Sequence, residues 1–154
     1  MAHVPEREVK LTIPMLQNME LAASKTAEAV AEVMDLGEDK TAEVSMALIE
    51  ACINSFEHSK SPDRQVYITF FLKDDRLEIV LRDLGTGFDP NEVEEPSLDR
   101  KLSHGARKRG WGLKLMENMM DSVNIESGKN GTSITMIKYK NKTAEKSLSV
   151  EVEE

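Results

Sequence analysis

The sequence predicts an α/β protein. A two-layer sandwich is expected, with a mixed, mostly antiparallel sheet covered on one face by about three helices. Two runs of apolar–polar alternation lie close together between 66 and 81, separated by a short turn, and a second such pair closes the chain. Two helical segments precede the first pair and one lies between the pairs. Short turns join antiparallel neighbours, whereas a doubly wound parallel sheet needs a crossover between neighbouring strands.

Val9, Leu11 and Ile13 alternate with Lys10 and Thr12, which predicts a short first strand ended by Pro14. From Asn18 to about Met34 the chain is rich in Ala, Glu and Met, and Leu21, Ala22, Ala29, Val30 and Val33 form a helical stripe. Gly37 punctuates. A second helix is expected from about Asp39 to Phe56. Its middle, Met46 to Ile53, is apolar nearly all round and predicts a deeply packed segment. Ser59 to Pro62 breaks it. Val66, Ile68, Phe70 and Leu72 then alternate with Tyr67, Thr69 and Phe71, and Leu77, Ile79 and Leu81 alternate with Glu78 and Arg82. Asp74-Asp75 between them predicts a hairpin. The stretch from Leu84 to Arg109 holds two prolines, several glycines and many charges, and its length predicts a functional loop or lid. A helix follows from Trp111 to Asp121, with Leu115, Met116 and Met119 inward and Lys114, Glu117 and Asp121 outward. Strands from Val123 to Ser127 and Thr132 to Tyr139 flank a turn at 128–131. Residues 1–140 are thus expected to form one domain and 141–154 a polar, acidic tail.

With 154 residues, 40% of them hydrophobic, the chain can bury one real core. A net charge of -8 argues against a nonspecific nucleic-acid binder. Cys52 is the single cysteine, which excludes an internal disulfide and fits a reducing compartment. No signal-peptide pattern opens the chain, and no apolar run reaches the ~18 residues of a membrane span. The expectation is a soluble cytoplasmic protein with no membrane association.

Four pieces of sequence carry chemistry. Glu50 and Asn54 are four apart, so they share one side of the second helix. A bare buried carboxylate costs several kcal/mol, on the order of a domain's margin, so Glu50 must meet water, a partner or a ligand. Asn54 offers a neutral oxygen to a hard cation such as Mg²⁺, and Glu50 can accept a proton from a nucleophile. Taken alone, the pair also reads as a capping or salt-bridged pair. Asp83-Leu84-Gly85-Thr86-Gly87 ends a strand: the carboxylate can accept a hydrogen bond from an exocyclic amine, and Gly85 and Gly87 allow close approach to a flat ligand. Alone, it also reads as an ordinary glycine turn. Gly110-Trp111-Gly112-Leu113 opens a helix, exposing backbone N–H groups to phosphate, with Arg107, Lys108 and Arg109 just before it. Alone, it also reads as a solvated charge run and a helix start. Gly131-Thr132 opens the last strand and is by itself a common hairpin turn; Thr132 gains interest only beside Asp83.

In this order and spacing, the set resembles the GHKL ATPase superfamily, whose ATP-binding domain has the Bergerat fold. Glu50-Ala51-Cys52-Ile53-Asn54 with His58 resembles its N box. The segments at Asp83–Gly87, Gly110–Leu113 and Gly131-Thr132 resemble its later boxes. Phe88-Asp89-Pro90 and the helix from Leu115 to Asp121 look most like the small bacterial anti-sigma-factor serine kinases. The resemblance implies that Asn54 holds Mg²⁺ against ATP, that Glu50 activates the attacking hydroxyl, and that Asp83 reads adenine with support from Thr132. Gly85, Gly87, Gly110 and Gly112 would shape the pocket. Lys108, Arg109, Trp111 and Leu113 complete the implied nucleotide-binding set, the sequence not distinguishing which of Arg107, Lys108 and Arg109 meets the γ-phosphate. It implies a protein serine kinase that releases ADP, phosphorylates an anti-anti-sigma (STAS-type) protein, alternatively holds a sigma factor inactive, and forms a homodimer.

Two departures stand out. Ser55 replaces the Ala often found after the metal-binding Asn, and Trp111 is bulky between two glycines. Met116, Met119 and Met120 read as core, and His58 reads as a structural residue or a helper of the site. A switch kinase acting on a scaffold protein and a non-catalytic ATP-dependent binding module are the alternatives. Glu50 argues against the last, since a pure binder has less need of a base.

Overall fold

The computed structural model describes residues 7–85 and 111–141. Eight elements follow in order: β1 (Arg7–Pro14), α1 (Glu20–Val33), α2 (Glu38–His58), β2 (Gln65–Leu72), β3 (Arg76–Asp83), α3 (Trp111–Met119), β4 (Ser122–Gly128) and β5 (Gly131–Tyr139). The expectations for the long loop beyond Gly85 and for the tail lie outside the described residues.

The strands form one sheet in the order β1-β2-β3-β5-β4, and each neighbouring pair is antiparallel. The expected mixed character is therefore absent among the described pairings. β3 and β4 do run in the same direction, but β5 is inserted between them. The period-2 pattern sorts side chains as expected. Val66, Ile68, Phe70, Leu77, Ile79, Leu81, Ile134 and Met136 are buried on the inner face and share one core with α1, α2 and α3. Each such side chain contributes about 1.5–3 kcal/mol on burial.

Three expectations are corrected. Of the stripe predicted for α1 only Val30 is buried. Leu21 and Val33 are 51% and 68% exposed, and Ala22 and Ala29 are also exposed. The face α1 turns inward is Ala23, Ser24, Ala27, Val30 and Ala31. Small side chains let the helices approach closely, and the Ser24 and Ser45 hydroxyls meet at 2.6 Å between them. The middle of α2 is also less enclosed than expected: Met46 is 46% exposed, because the buried face follows the helical period through Val44, Ala47, Leu48, Ala51, Cys52 and Ser55. Finally, α3 stops at Met119, and Asp121 does not face away. Its backbone N–H donates to the Ile137 carbonyl, and its carboxylate accepts the Tyr139 N–H at 2.7 Å.

Lys138 occupies an inward position of β5 at 3% exposure. Its Nζ lies 2.9 Å from Glu43 Oε1 on α2 and donates to the Met119 carbonyl at 2.5 Å. One buried ammonium thus ties β5 to α2 and to the C-terminal end of α3, where carbonyls lack helical partners.

Candidate functional site

The site is built where the C-terminal half of α2, the end of β3 and the start of β5 converge. Asp83 is the last residue of β3 and only 5% exposed. Such a carboxylate must have its oxygens satisfied. Oδ1 accepts the Gly85 N–H at 3.0 Å, and Oδ2 accepts the Ser55 hydroxyl at 3.1 Å. Each oxygen has two lone pairs, so each keeps acceptor capacity after these bonds. The arrangement suits a further N–H donor and disfavours a carbonyl.

Gly85 presses against the end of α2. A Cβ there would sit 2.5 Å from Ser59 Oγ and 3.0 Å from the Lys60 nitrogen, so the position excludes a side chain. Thr132 stands directly opposite Asp83 in the β3–β5 register and is 4% exposed. Its hydroxyl is 3.0 Å from that of Ser127 on β4. Gly131, just before it, has φ +126, and a Cβ would overlap the Asp83 carbonyl oxygen. The glycine of this motif is needed for the close approach of two backbones, while Lys129 and Asn130 make the turn.

Glu50 and Asn54 lie on the half-exposed flank of α2, beside its buried stripe. Ser55, the next residue after Asn54, reaches Asp83, so this end of α2 and the end of β3 form one locus. His58 closes α2, with Nε2 3.8 Å from Glu57 Oε2, and partial burial pushes the Glu57 carboxyl up. Gly112 is buried and Leu113 half-buried in the first turn of α3. Gly87, Lys108, Arg109, Gly110 and the Trp111 side chain lie outside the described residues. The structure brings together Asp83, Gly85 and Thr132, with Asn54 adjoining through Ser55. Ser55 and Ser127 were not among the predicted site residues. For Ser55 the signal was present as a departure from Ala.

A model of the histidine kinase-like ATPase domain matches residues 14–138 of this chain. The anti-sigma F factor of Oceanobacillus iheyensis is 32% identical over 142 residues, covering 90% of this chain and 96% of that protein. The serine-protein kinase RsbW of Bacillus subtilis is 32% identical over 121 residues, 75% of each chain. The solved structure of the RsbU and RsbW domains of a Mycobacterium tuberculosis protein superposes with a TM-score of 0.64 at 17% identity. It covers 87% of this chain, which spans only 32% of that one, and the likeness is one of fold.

Proposed function

This chain belongs to the histidine kinase-like ATPase domain family, and we propose on that premise that it is an ATP-Mg²⁺-dependent serine-protein kinase and anti-sigma factor. In this reading it switches between two partners in the cytoplasm. It holds a sigma factor inactive, or it phosphorylates a serine of an anti-anti-sigma (STAS-type) protein. The relatives named for these two activities, alike over most of their length, support it.

The observation that carries the nucleotide assignment is the Asp83 carboxylate. It is buried at a strand end, oriented by two donors, and retains acceptor capacity for an amine such as that of adenine. Gly85 and Gly131 stand where side chains would collide with the backbone and side chains around it. The donor set also fits a hard cation: the Asn54 amide oxygen is a suitable ligand, and Mg²⁺ usually takes few protein ligands with substrate phosphates and water. The cation supplies charge neutralisation on the phosphates. Asp83 and Thr132 bind and orient the base, with Gly87, Lys108, Arg109 and Gly110 and the helix start at Trp111, Gly112 and Leu113 serving the phosphates. In the transfer, the partner's serine oxygen bonds to the γ-phosphorus as its bond to the bridging oxygen breaks. The serine proton passes to Glu50 and ADP departs. A homodimer and a separate acidic tail over 141–154 complete the proposal, and light scattering showing a monomer at working concentration would remove the dimer.

Calorimetric titration of wild type and Asp83→Asn with ATP-Mg²⁺ tests the pocket. Binding by wild type and its loss in the variant is the expected result. A folded wild type that binds no ATP overturns the reading.

A further inference from the structure

Ser55 sits on the buried face of α2, 6% exposed. A serine inside a helix commonly turns its hydroxyl back to the carbonyl one turn earlier. Here the hydroxyl instead crosses from helix to sheet and donates to Asp83 Oδ2 at 3.1 Å. The partner oxygen, Oδ1, is fixed by a backbone N–H that no side-chain substitution removes. Among the described residues the Ser55 hydroxyl is therefore the only side chain that anchors the Asp83 carboxylate.

We infer that Ser55 is a positioning residue that sets base selectivity: its hydroxyl locks the Asp83 carboxylate in the orientation that accepts the 6-amino group of a purine nucleotide. The assignment rests on the ATP-pocket reading above. With both oxygens tied, the plane of the carboxylate is fixed, and with it the directions from which a further donor can approach. Without the Ser55 donor, Oδ2 is buried with one partner fewer, and the carboxylate turns to recover one. Only a ligand that uses this carboxylate feels the change. A purine lacking the 6-amino group does not.

The test is equilibrium binding by calorimetry of two nucleotides, ATP and purine riboside triphosphate, each with Mg²⁺. The proteins are wild type, Ser55→Ala and Ser55→Cys. Alanine leaves a small void and cysteine fills the site with a slightly larger, weak donor, so a change shared by both separates the hydrogen bond from a packing defect. Wild type is expected to prefer ATP by at least about tenfold, the scale of one charge-assisted hydrogen bond. Both variants are expected to lose most of that preference, with ATP affinity falling about tenfold and purine riboside triphosphate affinity changing less than about twofold. Retained selectivity in both variants overturns the role of Ser55 while leaving the pocket intact. An equal loss for both nucleotides, with a lowered melting temperature, also overturns it, because that marks a structural role. A folded wild type that binds neither nucleotide overturns the pocket and this assignment together.

Discussion

Replacing Gly131 by Ala tests how tightly the start of β5 is fitted to the end of β3. Two costs combine at this position. The residue has φ +126, a conformation that costs a non-glycine residue on the order of 1–3 kcal/mol. The new Cβ would also overlap the Asp83 carbonyl oxygen and lie 3.0 Å from its carbon and 3.1 Å from Leu84 Cα. These are backbone atoms, so relief requires the strands to separate where Asp83 faces Thr132. Weakening one or two ladder bonds adds roughly 1 kcal/mol each. The sum is about 2–5 kcal/mol, a large share of the roughly 5–15 kcal/mol typical of a domain. With a urea slope near 2 kcal/mol per molar, the denaturation midpoint falls by roughly 1–2.5 M. Two further glycines separate the causes. Gly37 has φ +91 and ψ 161 but nothing within 4 Å of a Cβ, so Gly37→Ala is expected to show backbone strain alone, about 1–3 kcal/mol. Gly128 has open space and no positive φ, so Gly128→Ala is expected within about 0.5 kcal/mol of wild type. Urea denaturation of the three variants reads the series directly. If Gly131→Ala costs no more than Gly37→Ala, the close approach of β5 to Asp83 is wrong.

Lys138→Met is expected to destabilise the fold by about 2 kcal/mol, because the Met119 carbonyl loses its donor inside the core; Glu43→Gln should cost more, roughly 3 kcal/mol, since it leaves the buried Lys138 ammonium without its counter-charge. Equal losses in thermal melts would contradict this division. Burial, with a smaller contribution from Glu20, pushes the Cys52 thiol up to about 12 from an ordinary value of 9.0. The folded state therefore keeps this proton while the unfolded state loses it, so the contribution is intact below pH 9 and declines between pH 9 and 12 by roughly 1.4 kcal/mol per pH unit. The stability gap between wild type and Cys52→Ala should shrink accordingly in urea titrations from pH 8 to pH 11, and a constant gap would refute it. Glu50→Ala is expected to retain ATP binding while phosphoryl transfer falls at least about 10²-fold, whereas Asn54→Ala should lose the Mg²⁺-dependent part of binding. Calorimetry paired with a phosphorylation assay distinguishes the two, and unchanged Mg²⁺ dependence in Asn54→Ala would remove the metal assignment.

What the sequence determined by itself is what depends on near neighbours along the chain. The alternation of Val66 to Leu72 and Leu77 to Leu81 named two strands and their inner faces, because side chains on a strand alternate whatever lies beyond. The four-residue spacing of Glu50 and Asn54 set them on one side of α2 for the same local reason. The tertiary structure decided what depends on who packs against whom. α1 has more than one face with apolar residues, and it buries Ala23, Ala27 and Ala31 while leaving Leu21 and Val33 exposed. Its neighbour α2 meets it through Ser45, where small residues allow close contact and large ones do not. No local signal announces that choice. The pairing of Asp83 with Thr132 likewise required β5 to insert between β3 and β4, a matter of sheet order rather than of either strand's composition. Ser55 shows the same division: helical periodicity turns its side chain inward, but only the packing of α2 on β3 gives its hydroxyl the Asp83 carboxylate to meet.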